Sequence, residues 1–487
     1  MDYEKFSRLF FPKTIAVIGA SNNPVGAVKY VKAHKNKGID VFPVNVNPDL
    51  VTLEDLPVYR SIKDIVPDID LAIIGVPKQY VPSVIDEFKE KTVYFAVIFT
   101  SGFKESGNSQ LDRELEKSIE GVDTRFIGPN CLGVYNPRAK LMYFPGMPDG
   151  MEYGGNVSII AQSGGHTAKT VSFLMSRGVY IAKAISIGNA IDLAPLDFLN
   201  YFKEDPDTKV VGFYLESTKN GRSLMKNLEK ITKNKPVVIW KGGQGNTGFK
   251  ATASHTGELA GDIKIWKAMC KQTGTIFAEN FDIFCDLVTM FSFNLPIPKS
   301  LKIGLIACGG GNAVEAADIF EAGGFEIPEL LPSTKKKIGE FIPDVNSSFS
   351  NPVDLGEYGY VPKYFAKAID IISQDENIDG IVYIKESSRF PLFSVNFLMS
   401  ADKYETVTVD ELRDITRKNK KRRNIPLYLN DPFISEALDG FTCRVSFRDK
   451  LNKVGIPVFG RIDVLMQSIK KAHEYGIYLK NKKEINS

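Results

Sequence analysis

"AVIGASNNPVGAVKYVKAH", residues 16–34, runs from an apolar stretch through a glycine turn into an amphipathic segment of helical length. Strand, glycine turn and helix in that order open a doubly wound α/β sheet, and at such a turn backbone N–H groups and the helix N-terminus can meet phosphate. Working outward, short β-branched runs bounded by Gly, Pro or Asn alternate with helix-length segments along all 487 residues. That alternation predicts parallel sheets with helices on both faces. The first set is "TIAVIGA", "DVFPVNV", "DLAIIGVP", "VYFAVIFTSG" and "TRFIGPN"; the second is "VSIIAQSGG", "AKAISIGNA", "KVVGFYLES", "KPVVIWKGG" and "GTIFAEN". A third set, "LKIGLIACGGGNA", "IDGIVYIKES", "IPLYLNDP" and "GIPVFGR", follows the linker "FNLPIPKS". We therefore expect an α/β protein of three doubly wound domains, at 1–140, 150–295 and 300–487.

Composition narrows the function classes. Lys plus Arg number 61 and Asp plus Glu 58, a net charge of +3, so bulk charge gives no field for nucleic acid. The basic run "RKNKKRRN" at 417–424 reads as a helix cap or a solvated loop. Five cysteines stand singly, without the paired spacing of a zinc or iron–sulfur site, and no metal ligand set is expected. No apolar stretch reaches the roughly 20 residues of a membrane span, and the N-terminus lacks a signal-peptide core. The expectation is a cytoplasmic protein with reduced thiols and no membrane or nucleic-acid partner.

The glycine turn at Gly19 departs from the dinucleotide fingerprint, since the next glycine is Gly26. The second strand ends in Asn45 and Asn47, where an NAD site needs an acid for the ribose hydroxyl. A phosphorylated adenosine other than NAD fits better, and a nicotinamide dehydrogenase is disfavoured.

The second set repeats the device. In "IIAQSGGHTAKTVSFLMSRG" (159–178), Ser163, Gly164 and Gly165 should present N–H groups and a helix N-terminus to an anion; Gly188 and Asn189 offer a second such edge. Glu216 ends a strand that should be buried, where a carboxylate needs a partner. His255, one of four histidines, sits in "KATASHTGELAGD" (250–262) among small residues. An anion site, an edge carboxylate and an open histidine suit phosphoryl transfer through a neutral imidazole. His34 and His473 read as surface residues; His166 reads as a helix cap beside the anion site.

"GAS..P..G", "VPKQYV", "SGFKE" and "GPNCLG" resemble, in order and spacing, the CoA-binding domain shared by succinyl-CoA synthetases and ADP-forming acyl-CoA synthetases. The resemblance implies CoA contacts at Gly19, Ala20, Ser21, Asn47, Pro77, Ser101, Gly102 and Asn130. One position departs: Asp49 stands where the family carries a lysine near the CoA phosphates, so that contact must come from elsewhere. "ASHTGELAGD" is similar to the phosphohistidine loop of ADP-forming acetyl-CoA synthetases, which makes His255 the phosphorylated residue and Glu216 its orienting partner. "IACGGGNAVEAADIFEAGGFEIPEL" and "NPVDLGEYG" resemble the same enzymes' third, flavodoxin-like ligase domain, with Gly309–Gly311 opening a helix. The resemblance thus implies a Rossmann-like CoA-binding domain followed by two flavodoxin-like ligase domains.

No segment is left over for the family's ATP-grasp region, and no Walker-type loop replaces it. The resemblance therefore implies an α subunit in a hetero-oligomer, with ATP or ADP and Mg on a separate ATP-grasp β chain, CoA as substrate and a small-molecule acyl substrate. The expected reaction is acyl-CoA + ADP + phosphate to carboxylate + ATP + CoA. A catalytically inactive CoA-binding regulatory subunit is the alternative. The acyl group stays open.

Overall fold

A computed structural model describes residues 3–143, 154–250, 261–396, 398–434 and 437–486. The first sheet contains β1 (Thr14–Ile18), β2 (Asp40–Val44), β5 (Ile69–Ile74), β6 (Val93–Ile98) and β7 (Arg125–Ile127), in the order β2-β1-β5-β6-β7, all parallel. A two-stranded hairpin, β3 (Thr52–Leu53) and β4 (Leu56–Pro57), follows β2. The second sheet holds β8 (Gly133–Tyr135), β9 (Val157–Ala161), β10 (Ile181–Ser186), β11 (Val210–Leu215), β12 (Val237–Lys241) and β13 (Ile276–Ala278), in the order β13-β12-β11-β9-β10-β8. The third is β15-β14-β16-β17-β18, from β14 (Ile303–Ala307), β15 (Val353–Asp354), β16 (Gly380–Ile384), β17 (Leu427–Asn430) and β18 (Val458–Phe459).

Counted within each sheet, the parallel strands run 2-1-3-4-5 in all three, the flavodoxin-like order, which puts a ligand crevice where the winding reverses between strands 1 and 3. Every residue of β1, β5, β9, β10 and β11 is buried. Helices cover both faces, so the runs are continuously apolar rather than alternating. Besides the β3–β4 hairpin, two strands of the larger sheets escaped the sequence reading. β8 lies inside "GPNCLGVY", grouped above with the first set, yet it pairs antiparallel with β10 at the edge of the second sheet. β15 is two residues of "NPVDLG", too short for a periodic signal.

The chain divides into two compact units, Met1–Met175 with Tyr180–Glu279, and Ser176–Val179 with Asn280–Ser487. In the first unit one core serves two sheets. Phe6, on the helix Tyr3–Phe10, meets Phe95 of β6 edge-on at 5.4 Å and Phe198 at 5.8 Å, while Phe10 stacks on Tyr201 at 4.8 Å. Each such ring pair contributes about 0.5–1.5 kcal/mol beyond area burial. Lys183, buried in β10, is held by Asp205 at 2.8 Å. Arg125 and the Phe126 N–H both donate to Asp192, which ties β7 to the loop after β10. In the second unit, the basic run finishes the helix Ala401–Lys421, and Arg422 pairs with Asp370 at 3.0 Å.

His34 is not a surface residue. It is fully buried: Nδ1 contacts the Tyr30 carbonyl at 2.7 Å and Nε2 accepts from the Met142 N–H at 3.0 Å. His473 is half-buried, its Nδ1 2.9 Å from the Pro298 carbonyl. Helical position and lysine neighbours misled both expectations, because each ring turns toward a carbonyl of the protein.

Candidate functional site

At the switch point of the first sheet, β1 runs into Gly19 and β5 into Gly75. Gly19 has φ +82°, and a Cβ there would lie 2.8 Å from the Val76 nitrogen and 2.9 Å from the Gly75 carbonyl. Only glycine allows the two strand ends to approach so closely. Above them opens a cavity of about 710 Å³. Its walls include Gly19, Ser21, Pro77, Ser101 and Asn130 from the first sheet's edge, and Ser163, Gly164 and Gly165 from the second's. Two loops from different sheets thus share one space.

The remaining expected residues fall elsewhere. Ala20 is fully buried beneath the turn. Asn47 is exposed outside the cavity and its side chain accepts from the Asp49 N–H at 3.0 Å. Gly102 lies under the stem of Lys78, where a Cβ would meet Lys78 Cδ at 2.6 Å. Gly188 is packed rather than open: at φ +55°, a Cβ would sit 2.1 Å from the Pro129 carbonyl oxygen. Asn189 donates from its backbone to the same Pro129 carbonyl at 3.0 Å and from its side chain to Glu105 at 2.5 Å. These two residues join the "GPNCLG" edge to the second sheet instead of facing the large cavity.

Among the described lining residues Lys78 is the one cation. It lies in "VPKQYV", whose match to the family carried the signal, but nothing local marked this lysine over others. Beside the cavity Lys29 lies 4.0 Å over the ring of Phe99, a lining residue, and burial lowers its pKa. Cys131, also in the wall, has its thiol pushed up to about 12 by burial and is inert as a nucleophile at neutral pH.

The second sheet builds the anion-ready edge. The helix Gly164–Ser176 begins directly after β9; Ser163 Oγ accepts from the His166 N–H at 3.3 Å, and the Ser163 carbonyl from Thr167 Oγ1 at 2.7 Å. Gln162 spans the switch point: its Oε1 accepts from the Ser217 N–H at 3.0 Å and from the Glu216 N–H. Glu216 is buried just past β11, and the Tyr214 hydroxyl bonds to its side chain. Lys241, buried at the end of β12, is brought down to about 8 by burial, against the opposing pull of Glu216. His166 packs against Tyr214 at 4.5 Å and Trp240 at 4.8 Å, and burial lowers its pKa. It is a wall of this edge as well as part of the helix start. His255 lies outside the described residues.

No helix among the described residues is long and apolar enough to cross a membrane. The fold and these two neighbouring switch points define a class: a CoA-binding domain, matched over residues 13–137, continuing into a succinyl-CoA ligase like flavodoxin domain, matched over 154–291. The chain is 34% identical over 381 residues to the α subunit of ADP-forming acetate–CoA ligase II of Pyrococcus furiosus, covering 77% of this chain and 81% of that one. The α subunit of that organism's ligase I is 28% identical over 98% of this chain and 99% of its own. A solved structure, dinucleotide forming acetyl-coenzyme A synthetase 1 of Ca. Korarchaeum cryptofilum in complex with phosphate and ADP, superposes with a TM-score of 0.81 at 26% identity, covering 98% of each chain. The chain belongs to the family of ADP-forming acyl-CoA synthetases, ligases that form carbon–sulfur bonds, and aligns with their α subunits. It spans only 56% of the length of ADP-forming acetate–CoA ligase I of Archaeoglobus fulgidus, to which it is 34% identical.

Proposed function

We propose that the chain is the CoA-handling and phosphohistidine-bearing subunit of a two-chain enzyme that converts acyl-CoA, ADP and phosphate into carboxylate, ATP and CoA. The observation that carries this is the shared cavity, which sets a CoA-type switch point against an anion-ready helix start. CoA lies along Gly19, Ser21, Pro77, Ser101 and Asn130, and Lys78 supplies the cation for its phosphates that Asp49 does not. A phosphate oxygen attacks the thioester carbonyl, the C–S bond breaks, and the thiolate leaves and takes a proton. The N–H groups at Ser163–Gly165 hold the phosphate and the charge that develops.

A ring nitrogen of His255 then attacks phosphorus, which releases the carboxylate. Glu216, held by Tyr214, accepts a hydrogen bond from the other ring nitrogen and stabilises the charge. The phosphohistidine passes its phosphoryl group to ADP on an ATP-grasp partner chain, where Mg and the nucleotide are held. The alignment with relatives named as α subunits supports that partner. The absence of a membrane-spanning helix among the described residues fits a cytoplasmic place for this chemistry.

The test incubates the assembled enzyme with acyl-CoA and labelled phosphate and maps the modified peptide. An acid-labile, base-stable label at His255 is expected, absent in His255→Ala and slowed by orders of magnitude in Glu216→Gln. Acid-stable label, or label that survives His255→Ala, would refute the phosphohistidine and favour a regulatory subunit.

A further inference from the structure

β11 ends at Leu215, so the N–H groups of Glu216 and Ser217 lie past the sheet ladder, and both residues are buried. Buried donors of this kind need acceptors inside the protein. Gln162, the residue that follows β9, supplies them. Its own N–H donates to the Tyr214 carbonyl at 3.1 Å. Its side-chain Oε1 accepts from the Ser217 N–H at 3.0 Å and from the Glu216 N–H, while Nε2 donates to Ser217 Oγ at 3.4 Å. One residue of β9's edge thus holds the whole segment 214–217.

We propose that Gln162 is a positioning residue for phosphoryl transfer: it fixes the peptide that aims the Glu216 carboxylate at His255. The proposal rests on the phosphohistidine reading above and adds to it what holds the orienting carboxylate in place. Gln162 also lines the large cavity. Its side-chain oxygen, however, is directed at the two N–H groups rather than at a ligand, so its effect on the reaction runs through Glu216.

The side chain of Glu216 is set from the neighbouring strand. The Tyr214 hydroxyl bonds to it, and both groups lie against Gly242, just past β12. A Cβ at Gly242 would come 2.7 Å from Tyr214 Oη and 3.2 Å from Glu216 Cγ. The Gly242 N–H donates to the Leu215 carbonyl at 2.9 Å, which keeps this gap in register with the end of β11. The backbone of Glu216 is therefore held from β9 and its carboxylate from β11 and β12. A group that must meet one nitrogen of an imidazole gains from such a frame, since a displacement of about 1 Å costs on the order of a hundredfold in rate.

The experiment follows single-turnover labelling of His255 in the assembled enzyme from both directions, with acyl-CoA plus labelled phosphate and with labelled ATP. Gln162→Met keeps the side-chain length and removes the acceptor; labelling should slow about tenfold to a hundredfold, by the same factor in both directions. In a Glu216→Gln background the same change should cost less than about threefold, because two residues that act as one unit are not additive. Gly242→Ala introduces no left-handed φ, only the Cβ that displaces Tyr214 and Glu216, and should behave in the same way. Unchanged labelling in folded Gln162→Met, or equal slowing with and without the Glu216 carboxylate, would overturn the positioning role. Slowing from acyl-CoA alone, or a loss of CoA affinity in place of slower transfer, would make Gln162 a substrate contact and overturn it as well. If the unmodified enzyme takes no acid-labile label at His255, the phosphohistidine reading itself fails and the positioning role falls with it.

Discussion

Acidification from pH 7 to pH 4 should destabilise the first unit through a single buried ring. The Met142 N–H must donate to His34 Nε2, so the proton sits on Nδ1 and points at the Tyr30 carbonyl, and the neutral tautomer is fully used. Protonating Nε2 would set N–H against N–H in a site without solvent. Burial accordingly lowers the pKa from 6.5 to about 4. Since the folded value lies below the unfolded one, the unfolded chain takes up the proton first. The stability contributed by neutral His34 is complete above about pH 6.5 and is lost as the pH falls through about 4. A separation of about two and a half pH units at about 1.4 kcal/mol each is about 3.5 kcal/mol in full, of which about 3 kcal/mol is lost by pH 4. The assay compares urea unfolding of the wild type and His34→Gln at pH 7, 5.5 and 4; carboxylate effects common to both cancel. The wild type should lose about 3 kcal/mol more than the variant over that range. Parallel pH curves, or a His34 ring resonance titrating near pH 6.5 in the folded protein, would refute the reasoning.

Lys78→Met should weaken CoA binding about tenfold to a hundredfold, the worth of one or two charge-assisted hydrogen bonds, as read by calorimetry; unchanged affinity would move the phosphate contact elsewhere. Gly188→Ala, at φ +55° with the Pro129 oxygen 2.1 Å from the new Cβ, should cost about 2–5 kcal/mol by thermal unfolding and loosen CoA through Asn130. Gly38→Ala is its control: φ is +81° but no atom lies within 4 Å of the new Cβ, so only the backbone penalty of about 1 kcal/mol should appear. Asp192→Asn, which weakens the bidentate hold on Arg125 and the acceptor for the Phe126 N–H, should lower stability by about 1–3 kcal/mol and reduce the salt dependence of unfolding.

By itself the sequence determined what depends on neighbours along the chain. Buried parallel strands must be continuously apolar and must end in residues that let a helix turn away, so "TIAVIGA", "VSIIAQSGG" and "LKIGLIACGGGNA" declare three sheets. The missing acid after β2 spoke against NAD on the same local grounds. Gly19, Ser21, Ser163, Gly164 and Gly165 were legible as residues of an open sheet edge, and they line the large cavity, because a strand–glycine–helix unit presents its backbone groups at that edge. Tertiary structure decided what depends on residues far apart. β8 joins the second sheet because its hydrogen-bonding partner, β10, lies almost fifty residues later. Gly188 and Asn189 share their pattern with an anion site, yet the "GPNCLG" edge packs against Gly188 and takes up the Asn189 N–H. His34 looks solvated on its helix until the Met142 N–H closes over it. Lys78 and Gln162 acquire their places only when strand ends from two sheets meet around one cavity. A local pattern says which groups an edge can present; what faces that edge is set by packing between segments that the pattern does not connect.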